Sequence, residues 1–319
     1  MPIRVEVLLA TYNSGDYLAP MLNSLAAQTH LPAALLVRDD GSTDATLAVV
    51  ADFARAAPFP VRVMRPGPHL GPYTAFFALL AAAGDRHLVA LADHDDVWLP
   101  DKLARAVRAL AGRPGPVGYG SSVQVTDDQL RFVGRPAVGR PSFQHALFET
   151  ISTASTLVLN QPARRLVLDH LPRTVVYPDL WCYQLLSALD RFVYDPAPSL
   201  LYRQHDANAL GIATSRRMRW QRRLHQAREQ GLGLGRQHWA QLHELRAQCG
   251  VVLPPGALSE LDALLTTRSS RRAALVYAAR GTVVRRRRLD AIALRLAIAF
   301  QRQDAPLRDG QGVSAGRSD

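Results

Sequence analysis

The sequence predicts an α/β fold with a doubly wound, mostly parallel sheet, followed by a helical, arginine-rich C-terminal extension. Over about the first hundred residues, short apolar runs alternate with segments whose apolar residues recur at helical spacing, which is the pattern of successive βαβ units. Beyond about residue 210, such runs give way to helical sequence rich in arginine. In addition, polar residues follow three of the apolar runs directly, which indicates where a ligand binds.

Four strands are expected at residues 5–9, 34–37, 61–64 and 87–92, separated by helices at 14–28, 44–56 and 71–83. Ser42 or Thr43 is the expected N-cap of the second helix, because hydroxyl side chains accept a hydrogen bond from the free backbone N–H groups there. Pro100 and Asp101 open a further helix after the fourth strand. Right-handed crossovers would place all four strand ends on one edge of the sheet.

The second half of the domain is less regular. Strands are expected at 117–125, 152–159, 192–194 and 200–202, with a strand-like stretch at 174–177 and helices at 166–171 and 180–189. We place the domain at residues 1–210, with two halves that meet near residue 111. The helical basic extension then covers 211–304, and a disordered tail covers 305–319.

Polar clusters follow three of the predicted strands, at residues 11–13, 39–44 and 93–96. In open α/β sheets, ligands bind in the crevice outside the carboxyl ends of the strands. Three separate clusters on the same edge are therefore more than a surface pattern. The second cluster could still be only a capping turn, and the third only a solvated acidic turn.

The third cluster contains three acids within four residues, Asp93, Asp95 and Asp96. Such carboxylates repel one another unless a cation lies among them. Oxygen ligands favour Mg²⁺ or Mn²⁺, and Mg²⁺ usually takes one or two carboxylates together with substrate phosphates. His205 would add a nitrogen ligand that favours Mn²⁺, although it could also be a core histidine. A sugar linked to a nucleoside diphosphate fits this chemistry.

Several other classes of protein lack support. The chain contains no GxxxxGK[S/T] phosphate loop, no GxGxxG directly after a strand, and no nucleophile elbow of the GxSxG type. Its two cysteines, Cys182 and Cys249, lie far apart without CxxC spacing, which favours a reducing compartment and argues against a structural zinc or a disulfide. With no signal peptide expected and no apolar window of about 20 residues, we expect a cytoplasmic protein.

The net charge of +11 belongs to the C-terminal third. Residues 1–210 carry 18 basic and 19 acidic side chains, whereas residues 211–319 carry 20 and 8. A basic extension on a neutral domain implies an anionic partner. Within it, residues 285–288 are four arginines, followed by an apolar stripe of Leu289, Ile292, Leu296 and Phe300. This pattern predicts either peripheral membrane contact through an interfacial helix or a helix packed on the domain. Because an apolar face lies beside the arginines, we do not expect nucleic acid as a partner.

Four signatures in this order resemble those of family 2 glycosyltransferases with the GT-A fold. They are Thr11-Tyr12-Asn13, Asp39-Asp40-Gly41-Ser42-Thr43-Asp44, Asp93-His94-Asp95-Asp96-Val97-Trp98 and Tyr202-Arg203-Gln204-His205. The last two, with Pro178-Asp179-Leu180-Trp181 between them, are most similar to the rhamnosyltransferase-like branch. The resemblance covers roughly residues 3–210.

The resemblance implies an inverting, metal-dependent glycosyltransferase that uses a nucleoside-diphosphate sugar, dTDP-rhamnose or a UDP-sugar. The acceptor would be a saccharide or a lipid-linked molecule in surface polysaccharide synthesis. Residues 1–111 then form the nucleotide-sugar half and residues 112–210 the acceptor half. The implied donor-binding residues are Thr11, Tyr12, Asn13, Asp39, Asp40, Gly71, Asp93, His94 and Arg203. The implied metal ligands are Asp93, Asp95 and His205, for Mn²⁺ or Mg²⁺, and Asp179 aligns with the catalytic base.

The chain departs from the family pattern at three positions. His94 replaces a usual Gln, Ala75 a usual Asn, and Pro178 the His that usually precedes the base. Asp179 could therefore be only a helix N-cap, in which case Asp127, Asp128 and Glu149 are the next candidates. A nucleotidyltransferase is the alternative enzyme class, but it would need a basic, glycine-rich loop after the first strand, and residues 11–15 contain no basic side chain.

Overall fold

The computed structural model describes residues 3–65, 67–85, 87–137, 139–174, 176–205 and 234–301. Nine strands form one mixed sheet in the order β3-β2-β1-β4-β8-β6-β9-β5, and β7 pairs with β6 outside this path. The strands are β1 (Val5–Thr11), β2 (Ala34–Asp39), β3 (Val61–Val63), β4 (Leu88–Asp93), β5 (Val97–Trp98), β6 (Gly118–Thr126), β7 (Phe132–Gly134), β8 (Val158–Leu159) and β9 (Phe192–Arg203).

Helices cover both faces of the sheet and continue into the extension. In the domain they are α1 (Leu18–Ala26), α2 (Thr46–Ala56), α3 (Gly71–Ala82), α4 (Lys102–Leu110), α5 (Phe143–Ala146), α6 (Gln161–Asp169) and α7 (Pro178–Ala188). In the extension they are α8 (Arg236–Cys249), α9 (Pro255–Thr266), α10 (Arg271–Arg280) and α11 (Arg288–Phe300). Short 3-10 turns occupy Gly15–Tyr17 and Ala154–Thr156.

The parallel half of the sheet confirms the predicted βαβ order. Strands β2 and β4 both pair in parallel with β1, and β3 pairs in parallel with β2. Val7 and Leu9 of β1 pack with α1 and α4 on one face, whereas Leu8 packs with α3 on the other. A strand buried on both faces must be apolar throughout, which is why these strands were readable in the sequence. The register sets Ala10 opposite Asp93 and Thr11 opposite Asp39, so three polar clusters meet at one edge.

The second half of the sheet differs from the prediction. Strand β8 is only two residues long and runs antiparallel to β4 and β6, because Ala154–Thr156 form a 3-10 turn within the expected strand at 152–159. Residues 192–203 form one strand, β9, instead of two, and Thr174, Val176 and Tyr177, the described residues of the strand-like stretch, are not in a strand. The two-residue strand β5, which pairs with β9 between the acid cluster and α4, was not predicted.

The expected N-cap of α2 was wrong. The helix begins at Thr46 and its N-cap is Ala45, while the Asp44 carboxylate accepts a hydrogen bond from the Thr46 backbone N–H at 3.0 Å. Ser42 and Thr43 instead bond to groups across the sheet edge, described below. The hydroxyls are therefore used to shape the turn and not to cap the helix.

The described part of the extension shares its core with the sheet domain. Trp239, Leu242 and Leu245 of α8 belong to the same buried cluster as residues of α3 and α7. The Gln241 side chain of α8 donates to Gln184 Oε1 of α7 at 3.0 Å and accepts a hydrogen bond from the Tyr177 backbone N–H at 3.1 Å. The helical character of the extension is as predicted. The expected disordered tail at 305–319 lies outside the described residues.

Two of the four consecutive arginines anchor the extension. Arg285 Nη2 donates to Glu149 Oε2 at 2.9 Å, and the Arg286 backbone N–H donates to Glu149 Oε1 at 2.7 Å. Arg286 Nη2 also donates to the Thr150 carbonyl at 2.6 Å. These arginines are thus bound to the domain and are not free surface charges. No helix in the described parts of the chain is both long and apolar enough to cross a bilayer.

Candidate active site

A cleft of about 660 Å³ opens at the carboxyl ends of β1 and β4, where the sequence placed the site. It brings together most of the residues singled out in the sequence, on both of its sides. The predicted residues that line it are Thr11, Tyr12, Asn13, Asp40, Gly71, Asp93, His94, Asp95, Asp179 and His205. Asp39 and Arg203 do not line it, but Asp39 bonds to Thr11 and Arg203 to the Asp95 carbonyl.

The wall formed by the first two clusters is a connected hydrogen-bond network. Thr11 Oγ1 donates to Asp39 Oδ1 at 2.9 Å, and the Ser42 backbone N–H and hydroxyl donate to Asp39 at 2.8 and 2.6 Å. Asn13, in the left-handed region with φ 44°, accepts the Thr43 backbone N–H at 2.9 Å. Asp39 therefore holds the turn with both carboxylate oxygens. Its neighbours, and not Asp39 itself, present polar groups to the cleft.

Asp40 fixes the start of α3. Its buried carboxylate pairs with Arg38 and accepts the backbone N–H groups of Leu70 and Gly71, the latter at 2.7 Å. Burial alone would raise the pKa of Asp40, but these backbone hydrogen bonds and Arg38 lower it below its usual value. Gly71 has φ 74°, a backbone conformation that favours glycine. Asp40 thus keeps the Gly71 corner in place at the cleft wall.

Tyr12 and His69 flank the outer end of this wall. Their rings meet edge to face with centroids 5.0 Å apart, and Tyr12 is half exposed. His69 is itself held 3.0 Å from the Asp40 carboxylate. An exposed aromatic side chain beside a polar network is suited to contact a flat ring such as a nucleobase. The family resemblance had implied that Tyr12 binds the donor, but it gave no indication that Tyr12 packs against His69.

Asp93 lies at the end of β4 in the floor of the cleft. Its Oδ2 accepts a hydrogen bond from Ser155 Oγ at 2.5 Å. Burial, and secondly the negative charge on Asp95, raise the pKa of Asp93 to about 7. Ser155 was not identified from the sequence, because nothing in a small, hydroxyl-rich run shows which hydroxyl points at the acid.

Asp95 and His205 form the second part of the floor. Asp95 Oδ2 lies 3.0 Å from His205 Nε2, and the His205 ring stacks on Tyr17 with centroids 4.6 Å apart. Two side chains from positions 110 residues apart therefore converge on one point, as the predicted metal site requires. Asp93 does not join them, because its carboxylate is turned to Ser155. Among the described residues, no three His, Cys, Asp or Glu side chains are arranged to hold a metal by themselves.

A pair of ligands nevertheless fits a hard divalent ion. Mg²⁺ and Mn²⁺ sites that act on phosphates often use one or two protein ligands and complete their coordination with phosphate oxygens and water. One carboxylate and one imidazole, both lining the cleft, supply such a pair. Burial, and secondly the charge of Asp95, disfavour the ionised form of the neighbouring Asp93 and raise its pKa, and a cation nearby would favour that ionised form.

Arg203 and Lys102 support the acid cluster from behind. The Arg203 backbone N–H donates to Asp96 Oδ1 at 3.3 Å, and its Nε donates to the Asp95 carbonyl at 3.1 Å. The chain's single lysine, Lys102, is fully buried with its Nζ 4.2 Å from the centre of the Trp98 ring. Burial lowers the pKa of Lys102 to about 7. Arg203 thus orders the turn, and the prediction that it contacts the donor remains untested.

Asp179 also lines the cleft, from the first turn of α7. The N-cap of this helix is Tyr177, and no side chain caps it, so Asp179 is not the N-cap. Burial raises the pKa of Asp179 to about 6. In the described residues no cation forms an ion pair with it. A carboxylate with a raised pKa that faces a cleft is suited to accept a proton.

Two of the other acids considered as bases are engaged elsewhere. Burial favours the neutral form of Glu149, but a hydrogen bond from His145 and the charge of Arg285 lower its pKa to about 2. Asp127 accepts the Arg131 backbone N–H at 2.9 Å, which lowers its pKa. Neither acid lines the cleft. Asp179 is therefore the better-placed base.

Two tyrosines beside Asp179 were missed in the sequence. Tyr73 of α3 and Tyr177 pack edge to face with centroids 4.9 Å apart, and both line the cleft. Burial, followed by the nearby Tyr177 and Asp179, raises the pKa of Tyr73 to about 12, so its hydroxyl stays protonated. Because the two rings come from segments about a hundred residues apart, only the fold shows that they meet.

Residues 6–155 match a known protein family. The model of the family "Glycosyl transferase family 2" matches residues 6–155, which include the first three signatures. The matched region is a family 2 glycosyltransferase domain. The resemblance found in the sequence is thereby confirmed, and the alternative of a nucleotidyltransferase loses its support.

Relatives of this family 2 domain extend the comparison. An uncharacterized glycosyltransferase of Nostoc is 37% identical over 149 residues, which are 47% of this chain and 45% of that protein. The dTDP-rhamnosyl transferase RfbG of Shigella flexneri is 22% identical over 72% of this chain and 80% of its own length. This chain thus spans less than half of the length of the Nostoc relative.

The solved structures confirm the architecture. The crystal structure of S. aureus TarS in complex with UDP is similar with a TM-score of 0.56 at 16% identity, covering 93% of this chain and 90% of that one. At this identity the likeness concerns the fold. The predicted GT-A fold, with a mostly parallel sheet and a helical C-terminal region, is confirmed.

Proposed function

We propose that this family 2 domain transfers a sugar, with inversion, from a nucleoside-diphosphate donor to a saccharide or lipid-linked acceptor in surface polysaccharide synthesis. The observation that carries the proposal is the shared cleft. It is lined by the strand-end residues, by Asp93 and Asp95 of the acid cluster, and by Asp179. Donor and acceptor could therefore meet inside one cavity, with a base on the acceptor side.

The donor end is assigned to the wall formed by Thr11, Tyr12 and Asn13, with Asp93 and His94 below it. The candidate donors are dTDP-rhamnose and a UDP-sugar. RfbG, named as a dTDP-rhamnosyl transferase, supports the first, since the alignment covers most of that protein. TarS, whose crystal structures contain UDP and UDP-GlcNAc, supports the second through its fold.

A divalent cation, Mn²⁺ or Mg²⁺, belongs to the proposal, with Asp95 and His205 as its protein ligands. Such an ion, when bound, would neutralise the negative charge of the leaving diphosphate. Asp93 then contributes from the second layer, where Ser155 orients it. The proposed site thus differs from the three-ligand set expected from the sequence.

Asp179 would act as the general base. The acceptor hydroxyl gives its proton to the Asp179 carboxylate while its oxygen forms a bond to the anomeric carbon. The bond from that carbon to the diphosphate oxygen breaks, and the diphosphate leaves with the electron pair. Because the acceptor attacks from the face opposite the leaving group, the anomeric configuration inverts in one step.

The acceptor end would be the aromatic pair Tyr73 and Tyr177, next to Asp179. Aromatic side chains offer large rigid contact surfaces that suit the apolar faces of sugar rings. Tyr177 is held by the extension, because its hydroxyl donates to Gln237 Oε1 at 2.9 Å. The buried free thiols of Cys182 and Cys249 are compatible with a cytoplasmic enzyme, which completes the proposal.

The proposal is tested with a panel of sugar nucleotides. Purified protein is incubated with dTDP-, UDP- and GDP-sugars and Mn²⁺, and release of the nucleoside diphosphate is measured with and without EDTA. We expect one donor class to be hydrolysed or transferred in a metal-dependent manner. Absence of turnover and binding for every donor would overturn the assignment.

The raised pKa of Asp179 predicts a pH dependence of turnover. With a pKa of about 6, the carboxylate is the base form above that pH and is progressively protonated below it. At saturating donor and metal, kcat should therefore fall by about tenfold for each pH unit below about 6, and level off above it. Initial rates from about pH 5 to about pH 8 would measure this. A flat profile over the range would place the base elsewhere.

A further prediction concerns the aromatic pair. Replacing Tyr177 with Ala removes one ring from the acceptor end, so the acceptor KM should rise by about tenfold, whereas the donor KM should stay unchanged. Tyr177→Phe keeps the ring and loses the bond to Gln237, so its acceptor KM should change by less than about threefold. Steady-state kinetics with each substrate varied decide the question. Equal acceptor KM values for Tyr177→Ala and wild type would exclude the aromatic subsite.

A further inference from the structure

Helix α11 is apolar on two opposite faces. Leu294, Ala297 and Ile298 are buried against the rest of the extension. Leu289, Ile292, Leu296 and Phe300 point outward, with 50% to 76% of each side chain exposed. Their spacing of three and four residues places them along one side of the helix, and we call this set the outer stripe. The stripe predicted from the sequence is therefore not used for packing on the domain.

The outer stripe is unusual for the surface of a folded protein. Single exposed apolar side chains are common, but four large ones in line on one helix mark a binding surface. Leu275 and Val276 of the neighbouring helix α10 are exposed as well, at 48% and 42%. Helix α10 thus also presents large exposed apolar side chains.

Arginines accompany this apolar surface. Residues 271–301 contain eight arginines and a single acid, Asp290. Arg285 and Arg286 are bound to Glu149 and Thr150, but another five are exposed. These exposed arginines are Arg271, Arg272, Arg280, Arg287 and Arg288. An apolar helix face with cationic residues at its borders has the composition of an interfacial membrane helix.

We propose that the outer stripe docks on an anionic phospholipid surface, with its apolar side chains among the acyl chains and the exposed arginines at the headgroups. A second copy of the chain is a poor occupant, because it would bring the same positive border against this one. The sequence of residues 302–319 is also a poor cover, since Leu307 and Val313 are its only large apolar residues.

The position of α11 relates this surface to the cleft. Arg286, two residues before the helix, donates to the carbonyl of Thr150, and Thr150 lines the same cleft as Asp179. The start of the docking helix is thus tied to a residue that lines the cleft. Resting on the proposed function, this connection favours an acceptor that is itself anchored in the bilayer, so that its reactive hydroxyl is presented at the membrane surface.

Co-sedimentation of the full chain with vesicles tests the proposal. We expect binding to vesicles of phosphatidylcholine with phosphatidylserine at low salt, and weaker binding to phosphatidylcholine alone or at high salt. The double variant Leu296→Asp/Phe300→Asp should lose at least about tenfold in vesicle affinity. The affinity of Arg287→Gln/Arg288→Gln for anionic vesicles should fall by about thirtyfold, because each arginine near an anionic surface contributes about fivefold to the affinity.

A matched control introduces the same two charges elsewhere. Phe132 and Val251 are 59% and 91% exposed and lie outside the outer stripe, so Phe132→Asp/Val251→Asp should bind vesicles like the wild type. No wild-type binding at low salt, or equal binding by the stripe variant, overturns the proposal. A dimer that the stripe variant dissociates would identify a second copy as the occupant instead, and duplex binding with a steep salt dependence would identify nucleic acid.

Donor binding separates this proposal from the proposed function. Calorimetry with the nucleoside diphosphate and Mn²⁺ should give the same affinity for the stripe variant and the wild type, because α11 does not line the cleft. Vesicle binding without any transferase activity would refute the proposed function and leave the docking surface standing. Transferase activity without vesicle binding would refute the docking surface and leave the proposed function standing.

Discussion

Replacing Asp179 with Asn is expected to lower kcat by about 10²–10⁴-fold, the usual contribution of a general base. The amide keeps the shape of the side chain but cannot accept the proton of the acceptor hydroxyl. Asp179 is not one of the proposed metal ligands, so the affinity for the nucleoside diphosphate with Mn²⁺ should change by less than about threefold. Turnover with saturating substrates and calorimetry with the diphosphate measure the two quantities separately.

Asp127→Asn serves as the control for this variant. Asp127 is an acid of the same half of the domain, but it bonds to Arg131 and does not line the cleft. Its replacement should leave kcat within about twofold of the wild type. Full activity of Asp179→Asn would show that Asp179 only supports the first turn of α7. Loss of diphosphate affinity together with kcat would instead indicate a damaged cleft.

Replacing Asp95 with Ala is expected to remove the metal-dependent part of donor binding. Affinity for the nucleoside diphosphate in Mn²⁺ should fall by about 100-fold, to the level that the wild type shows in EDTA. His205→Ala should have a milder effect of about tenfold, because a neutral imidazole contributes less charge than a carboxylate. Calorimetric titrations of each variant with and without Mn²⁺ provide the measurement.

Asp101→Asn is the matched control for the metal site. Asp101 lies six residues beyond Asp95 at an exposed position and is absent from the cleft lining, so its donor affinity and metal response should equal those of the wild type. Circular dichroism would verify that the Asp95 variant remains folded. If the wild-type protein binds the diphosphate equally well in EDTA, a metal at Asp95 and His205 has no role.

The sequence was sufficient for the parallel half of the fold for a physical reason. Strands β1, β2 and β4 are buried on both faces, so each is a compact apolar run with polar residues at its end. Strands β5 and β8 have two residues each and exist because they pair with distant partners, as Trp98 does with Leu200. Local composition contains no signal for such pairing.

The prolines of β9 illustrate the same limit. Two strands were predicted at 192–194 and 200–202, and Pro196 and Pro198 lie between them, yet the chain continues through irregular pairing with β6. Asp195, in the middle of that stretch, binds Arg105 at 2.6 Å and Tyr119 at 3.0 Å, which fixes the irregular part. Hydrogen bonds from distant side chains thus stabilise an irregular stretch of strand that has no regular strand pattern in its own sequence.

The sequence was sufficient to predict which residues line the cleft, but not the direction in which their side chains point. The signatures correctly placed Thr11, Asn13 and Asp93 around one cleft, because strand ends of a parallel sheet share an edge. They could not show that the Asp39 carboxylate is directed into its own turn. Carboxylate direction depends on which donors surround it in three dimensions, and this information is distributed over the whole chain.

The contact between Tyr177 and helix α8 limits how this domain could be joined to the C-terminal extension of a relative. Gln237 and Gln241 of α8 hold the hydroxyl and the backbone N–H of the residue two positions before Asp179. A chimera that joined this domain to a foreign extension would replace both glutamines and leave the approach to Asp179 unsupported. The extension is thus not an exchangeable module, and a change of acceptor preference by grafting would have to transfer α7 and α8 as one unit.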